Sequence, residues 1–228
     1  MQSKSKPFLA LIAGIWLWSH AFQCAVADST ATPHAGKVEE GYLSPTVIPD
    51  SLGLLPPPPA EGSASFALDL TYSQKSFSLR NTPAWELAIQ DADLSFPKTA
   101  STFSCALGVP VNEKHAPHLY KLLQKVKQDA GASTSAAKKH YKRARPFMIN
   151  TAPLCTPEEQ TALASNGAFP SGHNAIGMAC GLILAEIAPE QSNQILARAQ
   201  AYGLSRVVCN AHWYSDTLWG RYMAAYTV

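Results

Sequence analysis

Phe169-Pro170-Ser171-Gly172-His173, running straight into the apolar stretch Asn174 to Ile187, decides how this chain folds. Pro170 cannot continue a helix from its left, Ser171 is a good N-cap, and Gly172 lets the backbone pass close to a bound group. A helix therefore starts here, and its unpaired N–H groups and positive dipole end face whatever sits in front, a natural seat for phosphate. His173 stands at that mouth, the one residue of the five able to move a proton near neutral pH. The run behind it is too short, and carries Glu186, to be a membrane span. It reads as a helix buried inside a bundle, with Gly177 and Gly181 letting a neighbour come close.

Outward from this helix the patterns are mostly helical. Pro83 opens a segment with Trp85, Ala88, Ile89 and Ala92 at spacings of three and four, which Pro97 should stop. Thr99 to Leu107 predicts a short helix ending at Gly108, and Pro117 opens a stronger amphipathic one, reaching about Ala130 through Leu119, Leu122, Leu123 and Val126. Ser133 to Arg145 has helical composition up to Pro146, and a last helical region runs from Gln194 to Tyr202. Ser63 to Asn81 has no clean period and predicts only short helix or loop. Strand alternation is missing, so the expected fold is all-α, a helical bundle with few or no strands.

The ends carry different information. Lys4 and Lys6 precede the apolar segment Phe8 to Trp18, and Ala25-Val26-Ala27 offers a small-residue cleavage pattern, so residues 1–27 read as a secretory signal peptide. The chain has 228 residues, with 18 Lys+Arg against 16 Asp+Glu. Losing Lys4 and Lys6 balances the charge, which argues against a general attraction to nucleic acid or anionic lipid, and without multiple apolar spans no lasting membrane insertion is expected; any anion site must be a local cluster. Residues 28–62, with Pro56-Pro57-Pro58-Pro59, read as a Pro-rich surface arm, and 63–228 as the folded domain. Cys105, Cys155, Cys180 and Cys209 remain after cleavage. In an exported chain they predict two disulfides: Cys155 with Cys209, because each flanks a basic motif that should converge, which leaves Cys105 with Cys180. No zinc spacing is present.

Two further motifs carry charge. Lys138 and Arg145 stand seven apart, so one helix would present both on the same face, about 10 Å apart; Lys139, Lys142 and Arg143 between them read as a solvated basic face. Downstream, Ser205-Arg206 is followed by His212 and Asp216, four apart, so one helical turn would let the carboxylate fix the imidazole tautomer and free the other nitrogen as a nucleophile.

The order Lys-x6-Arg-Pro, Pro-Ser-Gly-His, Ser-Arg-x5-His-x3-Asp resembles the signature of the type 2 phosphatidic acid phosphatase (PAP2) superfamily. Within it, Leu54-Leu55-Pro56-Pro57-Pro58-Pro59-Ala60, the block Tyr141 to Phe147 and Ala211-His212-Trp213 are similar to bacterial class A non-specific acid phosphatases. The resemblance implies a cofactor-free acid phosphatase acting on phosphate monoesters or nucleotides. It implies His212 as nucleophile, His173 as leaving-group acid and Asp216 as orienting carboxylate, with Lys138, Arg145, Ser171, Gly172 and Arg206 binding phosphate and no metal ligands. It further implies a periplasmic or secreted protein, small phosphate esters as partners and a homo-oligomeric state. A vanadium haloperoxidase uses a closely similar residue set, and a phosphate-binding protein that has lost activity is the third reading. After Asp216 the chain has only Thr217 to Val228, where the family normally continues through a further helix, so the domain is expected to be shortened at this end.

Overall fold

The computed structural model describes residues 40–228; the predicted signal peptide lies outside them. Twelve α-helices and three 3₁₀ turns occur among the described residues, with no strand. The helices are α1 (Ser51–Leu54), α2 (Ala64–Ser76), α3 (Pro83–Ala92), α4 (Phe96–Ser101), α5 (Ser104–Leu107) and α6 (Pro117–Ser133). They continue as α7 (Ser135–Tyr141), α8 (Pro146–Ile149), α9 (Gln160–Ala164), α10 (Gly172–Ile187), α11 (Ser192–Val208) and α12 (Tyr214–Thr227).

Helix α10 is the axis of the bundle and packs against α11, α12 and α6. It is apolar nearly all round, and Ile176, Ala179, Cys180 and Leu184 are buried with Leu123 and Val126 of α6, Ile195 and Ala199 of α11 and Met223 of α12. A helix without a polar face has nowhere else to go. Small residues set the spacing. A side chain at Gly177 would run into the Tyr202 ring and one at Gly181 into Ala199, both on α11, as the sequence predicted. At the other end of the same contact, a Cβ on Gly220 of α12 would meet the Ser171 carbonyl, so α12 lies directly on the start of α10.

Several boundaries differ from the sequence reading for identifiable reasons. Ser63 caps α2 by accepting from the Phe66 amide at 3.2 Å, and the helix forms although its apolar residues have no period: its buried positions are Asp69, Ser73 and Ser76. Pro97 sits in the first turn of α4 and helps start a helix, while α3 has already ended at Ala92. Helix α7 stops at Tyr141 because Lys142 adopts a left-handed conformation (φ 45°), and Arg145 is the extended residue that caps α8. Lys138 and Arg145 therefore do not share a helix face. Helix α11 runs on to Val208 and so carries Arg206.

The arm from Glu40 onward is fastened. The Asp129 carboxylate of α6 accepts from the Tyr42 and Leu43 amides at 2.8 and 3.2 Å, and the buried Ser51 hydroxyl accepts from the Ala137 amide at 3.1 Å. Cys155 and Cys209 form the predicted disulfide. The predicted Cys105–Cys180 bond does not form: Cys180 is a free thiol in the core on α10, while Cys105 is exposed on α5. Burial pushes the Cys180 thiol up to about 12.

Candidate functional site

The three motifs meet at the N-terminus of α10. Ser171 caps the helix, its hydroxyl accepting from the Asn174 amide at 3.4 Å and side chain at 3.0 Å, which leaves its own hydrogen to donate. The Gly172 N–H, at the first position of the helix and ahead of the amide that Ser171 takes, is left for a ligand. A Cβ on Gly172 would lie 3.7 Å from Thr134 Oγ1 and 4.0 Å from Lys138 Cε, so the glycine keeps open the place where Lys138 of α7 meets the helix start. Lys138 donates to the Gly167 carbonyl at 2.8 Å.

Arg145 is buried and tied by main-chain carbonyls. Its Nε donates to Leu163 and Asn166, and Nη1 donates to Ala211 at 2.9 Å. The same Nη1 lies 3.1 Å from His212 Nε2. A guanidinium has no acceptor, so Nε2 must be the unprotonated nitrogen and the ring proton sits on Nδ1. Nδ1–H in turn faces Asp216 Oδ2 at 3.3 Å, and the same oxygen accepts from the Trp213 amide at 2.8 Å. This pair is not the predicted helical turn. His212 precedes α12, and Asp216 is the third residue of that helix, reaching back over its N-terminus. His173 Nε2 donates to the Ala92 carbonyl at 3.0 Å, leaving Nδ1 as its other proton site. Arg206 of α11 donates to the Ala88 carbonyl at 3.4 Å, and its buried Nε has no partner among the described residues.

Electrostatics gives the cluster one purpose. Burial and the neighbouring Arg145 charge push Lys138 down to about 7, and burial, with Arg206 adding to it against the pull of Asp216, pushes Arg145 down to about 10. Both histidines are held well below their usual value, by burial first and then by Arg206, Arg145 and Lys138. Cations that repel one another in a dry pocket are relieved by an anion, and three cations beside a helix N-terminus make the pocket suited to one. Asp216 goes the other way: burial raises it to about 6 against the pull of Arg143.

Comparison with known proteins agrees with this geometry. The PAP2 superfamily model matches residues 129–228. A non-specific acid phosphatase of Providencia stuartii is 45% identical over 185 residues, which is 81% of this chain and 75% of that protein. A non-specific acid phosphatase of Salmonella typhimurium is 37% identical over the same length, and an acid phosphatase of Zymomonas mobilis is 38% identical over 176 residues, 77% of this chain and 67% of that one. This chain belongs to the PAP2 superfamily. Its PAP2 signature residues Lys138, Arg145, Ser171, Gly172, His173, Arg206, His212 and Asp216 are all brought together.

The PAP2 signature does not exhaust the site, and one reading of the sequence is overturned. Arg143 is not on a solvated basic face. With its side chain 8% exposed, it bridges two carboxylates: Nη1 donates to Asp216 Oδ1 and to Ser215 Oγ, and Nη2 donates to Asp69 Oδ2 at 2.7 Å. The left-handed Lys142 breaks the helix and turns Arg143 inward, whereas Lys139 and Lys142 are exposed as expected. Asp69 lies on the patternless α2, where no sequence signal marks it. The loop before His212 is strapped from behind: Asn150 and Asn210 exchange side-chain amide bonds at 2.8 and 3.0 Å beside the disulfide, with Asn210 in left-handed backbone (φ 65°). Trp213 is buried.

Proposed function

We propose that this chain is an exported acid phosphatase that hydrolyses small phosphate monoesters, nucleotides among them, through a phosphohistidine on His212 without a metal ion. The observation that carries the reading is the unprotonated Nε2 of His212, held by Asp216 behind it and facing Arg145 among three cations. In the first step Nε2 forms a bond to phosphorus while the ester P–O bond breaks, and His173 gives its proton to the leaving oxygen. In the second, water adds its oxygen to phosphorus and loses a proton to His173, and the N–P bond breaks to release phosphate. Lys138, Arg145, Arg206, Ser171 and the Gly172 N–H hold the non-bridging oxygens, the charge stabilisation on which phosphoryl transfer depends.

Action in acid follows from the site. His173 is the proton donor, yet burial and its cationic neighbours depress its affinity for the proton, so the working form is populated as pH falls and as a bound phosphate offsets those cations. Export, with cleavage after Ala27, suits the Cys155–Cys209 disulfide, and among the described residues no helix is long and apolar enough to cross a membrane.

Hydrolysis of p-nitrophenyl phosphate in EDTA is the test. Turnover should persist in chelator, and enzyme quenched in alkali during turnover of phosphorus-labelled substrate should carry label on a histidine. Activity that disappears with EDTA and returns with Mg²⁺ or Zn²⁺ would sink the mechanism. His212→Ala should lower kcat by ~10³-fold or more.

A further inference from the structure

We propose that Arg143 and Asp69 are positioning residues for the reaction, a buried salt bridge that holds Asp216 against His212 and balances the charge His212 acquires when phosphorylated. The inference rests on His212 being the nucleophile. Both carboxylates are wholly buried, and a single guanidinium lies between them. Asp69 is itself saturated: Oδ1 accepts from the Ser215 amide at 2.7 Å, and Oδ2 accepts from the Ser215 hydroxyl at 2.7 Å as well as from Arg143. The Trp213 indole stacks under the guanidinium at 5.7 Å and donates its Nε1–H to the Ala144 carbonyl at 2.8 Å. Arg143 thus spends both terminal nitrogens on α2 and α12, and its action on substrate runs through Asp216.

The charge count gives the arrangement its function. Two carboxylates and one guanidinium leave one buried negative charge, a costly state unless something answers it. His212 answers it at one stage of the cycle, when Nε2 carries the phosphoryl group and Nδ1 keeps its proton, so that the ring is cationic. Without Arg143, burial would favour the protonated acid at Asp216, which cannot accept from Nδ1–H in the same way. The groups bearing on this couple are Asp69 on α2, Lys138 on α7, Arg143 and Arg145 after it, His173 on α10 and Arg206 on α11.

The experiment compares Arg143→Gln, Arg143→Lys, Asp69→Asn and His212→Ala in the full chain, with p-nitrophenyl phosphate kinetics across pH, orthophosphate inhibition and thermal melting. Arg143→Gln should lower kcat ~10–100-fold, the size seen when outer partners of a reacting group are lost, with KM and phosphate inhibition little changed. The acid limb of kcat should move to higher pH, because Asp216 loses its counter-ion. Arg143→Lys should recover part of the loss, since an ammonium cannot span both carboxylates as a fork does. Asp69→Asn should lower kcat less and move the acid limb the other way, because the Asp69 charge is one of the influences that raise Asp216. If KM and phosphate inhibition rise while kcat holds, Arg143 binds substrate directly and the proposal falls. It falls too if the lost activity matches the unfolded fraction with an unmoved acid limb in both Arg143→Gln and Asp69→Asn. An active His212→Ala would overturn both this inference and the phosphohistidine; an inactive one with normal Arg143→Gln would overturn the inference alone.

Discussion

His212 has one nitrogen engaged by a carboxylate and the other turned to a guanidinium, and that asymmetry suits it to the nucleophilic role proposed for it. Arg206 is its counterpart among the proposed phosphate ligands, a buried guanidinium whose Nε has no partner among the described residues. Arg206→Ala should reduce kcat/KM by ~10²–10³-fold, on the scale of losing one donor to developing charge, and should weaken orthophosphate inhibition in parallel. Unchanged inhibition in that variant would remove Arg206 from the phosphate ligands. At this scale the sequence was most legible where chemistry is concentrated in short motifs, as in Pro170-Ser171-Gly172-His173. It was least legible at Arg143 and Asp69. A basic run looks the same whether its residues are solvated or buried, and only the left-handed turn at Lys142 and a carboxylate 74 residues upstream separate Arg143 from its neighbours.

Helices α10 and α12 meet with no room between them. A Cβ on Gly220 would press on the backbone carbonyl of Ser171 and on Asn174 Cβ, atoms that cannot swing aside as a long side chain would. Gly220→Ala should therefore cost about 1–3 kcal/mol of stability through overpacking. It should also lower kcat, because the displaced element is the start of α10, the proposed phosphate seat. Gly177→Ala presses instead on the Tyr202 ring, well along the helix, and should lower the melting temperature with kcat largely kept. Melting curves and kinetics on the two variants separate these effects. Helix α10 could be read from sequence because cap, dipole end and apolar run coincide. Helix α2 could not, because its buried face is Asp69, Ser73 and Ser76, and hydrophobic periodicity carries no trace of a face that is polar.

For the whole molecule, the buried cations govern stability against pH. His173 and His212 hold protons less well in the folded chain than near 6.5 in the unfolded one, and Lys138 lets go at about 7 instead of 10.5. The folded state then binds fewer protons than the unfolded, so the stability these groups contribute is present at high pH and is lost as pH falls, through 10.5 toward 7 for Lys138 and below 6.5 for the histidines. Asp216, raised from 3.8 to about 6, has the opposite sign: its contribution is present below 3.8 and lost as pH rises through 6. Three groups oppose one, so the phosphate-free protein should melt at lower temperature near pH 5 than near pH 8, both as about values chosen to straddle the histidine and lysine titrations. Orthophosphate or another tetrahedral oxyanion should raise the melting temperature more on the acid side, where every cation is charged. An equal rise at both pH values would show that these cations do not meet the anion.

The Cys155–Cys209 bond closes a covalent loop with a sequence separation of 54, and the signature divides across it. Inside lie His173 and Arg206; outside lie Lys138, Arg145, His212 and Asp216. A protease that cuts once in the exposed turn around Ser165 and Asn166 therefore yields two fragments that stay linked. The nicked chain would migrate as one species until reduced, with Lys138 and Arg145 still joined to the fragment that carries both histidines.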